Sequence, residues 1–411
     1  MSSHGNEIAP SPSLETSDGK YRHLYVVMEH EDGNLLQVNF EMLGEARRLM
    51  DEFNIRYSSE EKVVAVLLGH EMRSQCDKLI SYGADVVIYA DNPEFKYHRN
   101  LVYTRVISQI ALDKDCSAKI SARYANEFQR PRFMFFSADD TGRHLSATVL
   151  AELDSGLASD INKLVIDDIE LKHEHKTKGR MEKYNKTLEM YRPDFSGFLW
   201  TTILCLDNRH PDNRRDYHPQ SCSIIPGVFS PIPSDSSRKG IIVDFAATLK
   251  PADLSVKILN RKVVKSPIDF DSHKVIVSFG RGINESPEEN IALIDNLRRE
   301  LDAEVGISLP ISKKPYNISN SKLSAYITPE RVIGTSGRKV APSVYIAVGI
   351  SGAMQHIAGM KEAEFVIAIN PDTDSPIKDE CDIFIKGRME EILPILIEEL
   401  KELKAIVEVR S

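Results

Sequence analysis

Small residues follow an apolar strand closely in the C-terminal half of the chain. The run from Val344 to Ile350 is rich in β-branched residues, which predicts a buried strand. It leads through the sequence GISG into a helical segment that begins near Ala353. Such a sharp turn presents unpaired backbone N–H groups and the positive end of a helix at one point, which suits a phosphate group. Many α/β proteins use the same turn for packing alone, so the motif leaves both interpretations open.

Three other segments combine apolar residues with glycine or polar residues. In two of them the polar residues follow an apolar run, and the third is a loop. Residues 275–279 predict a second strand that is followed by Gly-Arg-Gly, and residues 365–369 predict a third that is followed by Asn-Pro-Asp. Residues 332–338 form a loop of small and hydroxyl-bearing residues. Ligands bind outside the carboxyl ends of the strands in an open parallel sheet. These loops are therefore predicted to converge on one large, phosphate-bearing ligand.

The same segments resemble, in order and in spacing, the FAD-binding domain of the electron-transfer flavoprotein alpha subunit. The matching motifs are GRG at 280–282, GTSGRKVAP at 334–342, VGISGAMQHIAGM at 348–360 and IAIN at 367–370. The similarity extends from about residue 225 to the C terminus. A fainter similarity continues upstream through YRPDFSG at 191–197 and PGVF at 226–229. By this resemblance the chain is identified as a member of that alpha-subunit family, which includes FixB-like proteins.

The resemblance implies a set of residues that bind FAD. They are Arg281, Ser308, Ile333, Gly334, Thr335, Ser336, Gly337, Arg338, Gly349, Ser351, Gly352, Ala353, Met354, Gln355, His356 and Asn370. The small residues after the strand would let the backbone approach the pyrophosphate. His356 would contact the pyrimidine end of the flavin, Ser336 would place a hydroxyl near its N5 atom, and Asn370 would hold the adenosine end. Without the resemblance, the same residues would be a polar helix face and ordinary turns.

Two positions depart from the family pattern. Leu309 stands where the family usually has an arginine close to the flavin, and Arg388 stands where it tends to have an acidic residue. A missing cation would disfavour the negatively charged reduced flavin and lower its reduction potential. Lys313 or Lys314 would have to supply the charge instead. The resemblance therefore predicts FAD binding but leaves the redox level open.

The order of predicted elements indicates an α/β protein of two domains. Strands and helices alternate through the N-terminal half, which is typical of a parallel sheet flanked by helices. The C-terminal part is predicted as a Rossmann-like, DHS-like FAD-binding domain. We expect a disordered tail at 1–20, an N-terminal domain at 21–230, a linker at 231–239 and the FAD-binding domain at 240–411.

Several finer features follow from local patterns. The charged stretches at about 113–130 and 166–191 are predicted as exposed excursions. A helix is predicted from Ser286 to Leu301, with a capping box between Ser286 and Glu289. The last helix is predicted at about Met389 to Leu403.

Composition excludes several classes of function. A net charge of −9 and a pI near 5.8 argue against a nucleic-acid partner and against adhesion to an anionic membrane. No apolar run approaches the ~18 residues of a membrane span, so direct membrane insertion is not expected. Five dispersed cysteines without a C-x-x-C motif indicate reduced thiols in the cytoplasm. No metal-ligand spacing is present in the sequence.

The resemblance also implies partners. A heterodimer is expected with an electron-transfer flavoprotein beta subunit that carries AMP or a second FAD, with the N-terminal domain at the interface. Electrons would come from an acyl-CoA dehydrogenase, as in fatty acid β-oxidation, or from another flavin dehydrogenase. They would pass to a quinone oxidoreductase or a ferredoxin-like acceptor, so the chain would be a redox carrier. Two alternatives stay open: a subunit of an NADH-dependent electron-bifurcating complex, and a non-redox structural module that binds FAD or an adenine nucleotide.

Overall fold

The computed structural model describes residues 20–120, 128–194, 199–262, 268–270, 272–335 and 337–410. The chain forms two compact units, and the boundary between them lies after Leu259. Each unit contains a parallel β-sheet and helices, which confirms the predicted α/β class with two domains. Among the described residues, no helix is both long enough and apolar enough to cross a membrane.

The first unit has these elements. Its strands are β1 (Tyr21–Val27), β2 (His30–Glu31), β3 (Asn34–Leu35), β4 (Val63–Gly69), β5 (Val86–Asp91), β6 (Arg130–Ser137), β7 (Leu157–Ile161), β8 (Lys163–Lys172), β9 (Met181–Asp194), β10 (Leu199–Leu204), β11 (Gln220–Ile224) and β12 (Ile241–Asp244). Its helices are α1 (Gln37–Tyr57), α2 (Ser74–Ser81), α3 (Asn100–Leu112), α4 (Lys114–Ile120), α5 (Asp140–Glu152) and α6 (Glu174–Thr177).

Seven of these strands form a parallel sheet that is buried on both faces. The strand order is β12-β5-β4-β1-β6-β11-β7. Along β1, Leu24 and Val26 pack with α1 and α2 in one core, whereas Tyr25 and Val27 pack with α3 and α5 in another. A strand that is covered on both faces has no polar side to show, which explains the continuous apolar runs of the sequence.

The boundary between the units differs from the predicted linker at residues 231–239. That segment packs on the first unit, where the backbone N–H of Asp235 donates to the carbonyl of Ser81 at 2.9 Å. Strand β12 follows it and pairs in parallel with β5. Proline and serine predict an irregular backbone but not whether it lies on a domain surface. The second unit therefore begins about twenty residues later than the predicted start at 240.

The two predicted excursions contain regular structure. Strands β8 and β9 pair as antiparallel neighbours across residues 163–191, and the paired side chains of Ile166 and Leu188 join the core beneath α1. The exposed face of this strand pair carries the charged residues that dominate the sequence pattern. In the other stretch, residues 114–120 form α4, and residues 121–127 lie outside the described part of the chain.

The second unit has its own elements. Its strands are β13 (Val275–Phe279), β14 (Glu304–Ser308), β15 (Val332–Ile333), β16 (Val344–Val348), β17 (Val366–Asn370) and β18 (Ile383–Lys386). Its helices are α7 (Pro287–Leu301), α8 (Leu309–Ser312), α9 (Ser321–Ser324), α10 (Met354–Met360) and α11 (Met389–Arg410). The strands form one parallel sheet with the order β15-β14-β13-β16-β17-β18.

Helix α7 lies where the sequence predicted it, but the predicted capping box is wrong. Ser286 is the N-cap residue, and its side chain makes no capping hydrogen bond. The neighbouring Glu288 carboxylate instead accepts hydrogen bonds from the backbone N–H groups of Ser319 and Asn320, at 2.9 and 3.1 Å. The start of the helix therefore ties down a distant loop. Helix α11 begins at Met389 as predicted and continues to Arg410.

Candidate functional site

A cavity of about 370 Å³ lies beside the carboxyl ends of β13, β14, β15, β16 and β17. The chain runs from β13 toward one edge of the sheet and from β16 toward the other, so the order reverses between these two central strands. The connecting loops on the two sides separate at such a switch point and leave a crevice for a ligand. The volume is within the ~300–1,000 Å³ that is usual for small-molecule sites.

Most of the predicted site residues line this cavity. They are Arg281, Ser308, Ile333, Gly334, Thr335, Gly349, Ser351, Ala353, Gln355, His356 and Asn370. Gly337, Arg338, Gly352 and Met354 are not among the lining residues, and Ser336 lies outside the described residues.

The cavity wall also contains residues that were not predicted to bind a ligand. They are Gly280, Gly282, Leu309, Pro310, Val332, Ile350, Pro371 and Asp372. All but Val332 lie within three residues after the end of a strand, and that position was the signal available in the sequence. Lys313 and Lys314, the candidates to supply a cation in place of the residue at position 309, are not among the lining residues.

The turn between β16 and α10 forms one wall of the cavity. The backbone N–H of Gly349 donates to the carbonyl of Ile369 at 2.9 Å, and the N–H of Ile377 donates to the carbonyl of Ser351 at 3.2 Å. Helix α10 begins after Ala353, whose methyl side chain cannot cap it. The first N–H groups of a helix have no partner within the helix. This wall can therefore donate backbone hydrogen bonds to an anion.

The loop after β15 forms another part of the cavity wall and is fixed to α10. The backbone N–H of Thr335 donates to the carbonyl of Gln355 at 2.8 Å. Within the loop, Arg338 donates its N–H to Val332 at 2.7 Å and accepts from the N–H of Gly334 at 3.0 Å. Gly337 and Arg338 therefore close the turn and keep it in place, which explains why they are near the site without lining it.

Gly352 does not line the cavity; it packs closely against the backbone of Ile377 on the other side of the turn. Its φ is +81°, and a Cβ atom there would lie 2.2 Å from the backbone N of Ile377 and 2.6 Å from its Cα. We expect Gly352→Ala to lower the free energy of unfolding of the second unit by about 3 kcal/mol or more. The unfavourable φ accounts for ~1–2 kcal/mol and the backbone clash for the rest.

Urea unfolding followed by circular dichroism tests this prediction. Gly33→Ala is a matched control, because Gly33 has φ +80° and no atom within 4 Å of the position of its Cβ. In Gly33→Ala the free energy of unfolding should fall only because alanine disfavours the positive φ, without a steric clash. Equal losses of stability in the two variants would contradict the packing role of Gly352.

His356 is buried in the wall, with only 5% of its surface exposed. Its Nδ1 lies 3.0 Å from the carbonyl oxygen of Ile333, and its Nε2 lies 2.8 Å from the hydroxyl of Tyr345. Burial lowers the pKa of His356 to about 4. The imidazole is therefore neutral near pH 7 and does not bring a positive charge to the cavity.

Asn370, at the end of β17, joins two loops of the site. Its side-chain amide donates to the carbonyl of Ile350 at 2.8 Å, and its side-chain oxygen accepts from the N–H of Asp372 at 2.9 Å. Each polar atom of the side chain retains further hydrogen-bonding capacity for a ligand. Asn370 thus holds the strand ends together and still faces the cavity.

The rest of the cavity lining contains polar, apolar and positively charged residues. Ser308 is buried at the end of β14, and Leu309 and Pro310 extend the apolar surface beyond it. Arg281 is exposed in the turn after β13 and supplies a cation at the rim. An apolar wall, a backbone donor site and a rim cation suit a ligand that combines an aromatic ring with phosphate groups, so the residues present fit FAD.

Each of the two units contains a segment that matches a known family of protein domains. Residues 269–361 match the model of the electron transfer flavoprotein FAD-binding domain, and residues 24–187 match that of the electron transfer flavoprotein domain. The first match includes most of the loops around the cavity.

Similar proteins match nearly the whole chain. An electron transfer flavoprotein subunit alpha of Thermoanaerobacterium thermosaccharolyticum is 32% identical over 93% of this chain and 99% of its own length. Protein FixB of Clostridium saccharobutylicum is 31% identical over 93% and 97%. An acryloyl-CoA reductase electron transfer subunit beta of Anaerotignum propionicum is 30% identical over 93% and 96%. The chain therefore belongs to the electron transfer flavoprotein alpha-subunit family.

Proposed function

We propose that this chain binds FAD in the cavity of its second unit and works as one subunit of a heterodimeric electron carrier. The main support is the position of the cavity. It lies at the switch point of a parallel sheet, and most of its lining residues belong to the segment that matches a FAD-binding domain. Bound FAD supplies the group that accepts and releases electrons.

The residues of the chain have distinct tasks in this proposal. The backbone N–H groups between Ser351 and the first turn of α10 hold the pyrophosphate, and Asn370 holds the adenosine side. Leu309 and Pro310 cover the ring and exclude water. His356 contacts the flavin ring as a neutral group, because burial disfavours the imidazolium form with two N–H groups. Arg281 supplies a positive charge at the rim.

The partners follow from the family and from the names of the relatives. We propose that the first unit binds an electron-transfer flavoprotein beta subunit that carries AMP or a second FAD. The donor would be an acyl-CoA or other flavin dehydrogenase, as in fatty acid β-oxidation, and a relative named for acryloyl-CoA reductase supports a CoA-thioester enzyme. The acceptor would be a quinone oxidoreductase or a ferredoxin-like protein. Five free cysteines support a cytoplasmic location.

Co-purification tests the proposal. The chain is co-expressed with a beta-subunit gene, and the purified complex is analysed by cofactor extraction, visible spectroscopy and stepwise reduction with dithionite. We expect a 1:1 complex that contains one FAD and one AMP and is reduced reversibly. A colourless complex, or a flavin that dithionite cannot reduce, would leave a non-redox nucleotide-binding module. Two FAD molecules that NADH reduces would instead indicate an electron-bifurcating subunit.

A further inference from the structure

Tyr345 and His356 form a buried pair behind the cavity wall. Tyr345 lies in β16 and is fully buried, with 0% of its surface exposed, whereas His356 lies in α10 and reaches the cavity. The hydroxyl of Tyr345 is 2.8 Å from Nε2 of His356. Tyr345 is not one of the residues that line the cavity. Its hydroxyl therefore has no direct contact with the cavity, whereas its partner His356 lines the cavity.

The protonation of the ring follows from its two partners. Nδ1 of His356 faces the carbonyl oxygen of Ile333, and a carbonyl can only accept a hydrogen bond. Nδ1 must therefore carry a proton. A neutral imidazole has a single N–H, so Nε2 holds a lone pair and must accept. The only remaining arrangement is that the Tyr345 hydroxyl donates to Nε2.

We propose that Tyr345 is a positioning residue that, with the carbonyl of Ile333, holds His356 in the Nδ1–H tautomer and in one ring orientation. The inference rests on the proposed function, because it concerns the site assigned to FAD. Both ring nitrogens have a partner in the protein, so loss of the Tyr345 hydroxyl would change which nitrogen of His356 carries the N–H and how the ring is oriented. Tyr345 thus determines the tautomer and the orientation in which His356 contacts the isoalloxazine ring of FAD.

Nuclear magnetic resonance tests the tautomer directly, without cofactor. The full-length chain is labelled with ¹⁵N at its twelve histidines, and long-range ¹H–¹⁵N correlations are recorded near pH 7. The signals of His356 are identified by their loss in His356→Gln. We expect wild type to have a protonated Nδ1 and an unprotonated, hydrogen-bonded Nε2. A protonated Nε2 in wild type would overturn the proposal, and this measurement needs no stability of a Tyr345 variant.

Two tyrosine variants separate positioning from packing. In Tyr345→Phe we expect the Nε2 resonance to shift and the second tautomer to appear. Tyr326→Phe is the control, because Tyr326 is in the same unit but donates to Asp295 at 2.5 Å, away from the cavity lining. We expect this control to leave the His356 signals unchanged. Unchanged His356 signals in Tyr345→Phe would show that the hydroxyl does not hold the ring.

The holo complex gives a second readout. We expect Tyr345→Phe to change the dissociation constant of FAD by less than about 3-fold, since no direct contact is lost, while the reduction potential of the bound flavin shifts. An unchanged potential would overturn the positioning role. A wild-type chain that has the expected tautomer but binds no FAD would refute the proposed function and leave the Tyr345–His356 pair intact, so the two failures are distinguishable.

Discussion

Ser351→Asp is expected to purify almost free of FAD. The Ser351 side chain is exposed on the cavity wall, next to the turn whose N–H groups are assigned to the pyrophosphate. A carboxylate there would face a second negative charge. At a separation of ~4 Å and an effective dielectric constant of ~20, the repulsion is about 4 kcal/mol. Solvent reduces this value at an exposed site, so we expect FAD to bind roughly 100- to 1,000-fold more weakly.

Ser351→Asn separates charge from shape in this experiment. Asparagine has nearly the same volume as aspartate and carries no charge, so this variant should retain FAD within about 10-fold of wild type. Affinity is measured by titrating the cofactor-free complex with FAD and following flavin fluorescence. Thermal unfolding of the cofactor-free proteins shows whether both variants are folded. Equal affinities of the two variants would place the phosphates elsewhere in the cavity.

Glu29→Gln is expected to stabilise the first unit at alkaline pH. Glu29 is 7% exposed, next to the start of α5, and its carboxyl group accepts a hydrogen bond from the Ser137 hydroxyl at 2.6 Å. Burial and the neighbouring charge of Asp139 raise the pKa of Glu29 to about 8. The folded protein therefore keeps a proton on this side chain that the unfolded chain, with a carboxyl pKa of ~4.3, releases.

The direction of the pH dependence follows from this difference. Between pH ~4.3 and about 8 the folded state binds one more proton than the unfolded state, so the stability contributed by Glu29 falls as the pH rises. It is fully present below the unfolded pKa and lost above the folded one. Glutamine stays neutral throughout, so its advantage over glutamate should be ~1 kcal/mol at pH 5 and reach ~5 kcal/mol at pH 9.

Denaturant unfolding at pH 5, 7 and 9 measures this advantage. Circular dichroism is recorded beside the fluorescence of Trp200, the only tryptophan of the sequence, because this side chain is 53% exposed in the folded first unit. Glu170→Gln, an exposed exchange in the same unit, controls for loss of a surface carboxylate. An advantage of Glu29→Gln that does not grow with pH would mean that the Glu29 carboxyl group is ionised in the folded protein at neutral pH.

Local patterns in the sequence were sufficient for the strands that build the site. Residues 275–279 form β13 as predicted, and β16 and β17 differ from their predicted bounds by one or two residues. Each is a run of β-branched residues followed by glycine or asparagine, and both features act over a few neighbouring residues. The resemblance then assigned the loops to FAD, and the family comparisons support that assignment.

Contacts between distant residues were not available from the sequence. The linker at 231–239 was placed by its composition, but pairing of β12 with β5 keeps it in the first unit. The capping box of α7 satisfied a local rule, yet the side chain of the N-cap residue Ser286 makes no capping hydrogen bond. His356 was expected to contact the pyrimidine end of the flavin, but the sequence did not show that burial beside Tyr345 leaves its imidazole neutral.

The sequence alone determined the α/β class, the strands and the family, because hydrophobic periodicity and short motifs are encoded in adjacent residues. Only the tertiary structure decided the strand order, the unit boundary and the partners of His356 and Glu29. Glu29 meets Ser137 across 108 residues of chain, and its pKa depends on that burial. Charge states of this kind are set by the dielectric environment and by groups brought together through folding, and neither quantity is a property of the local sequence.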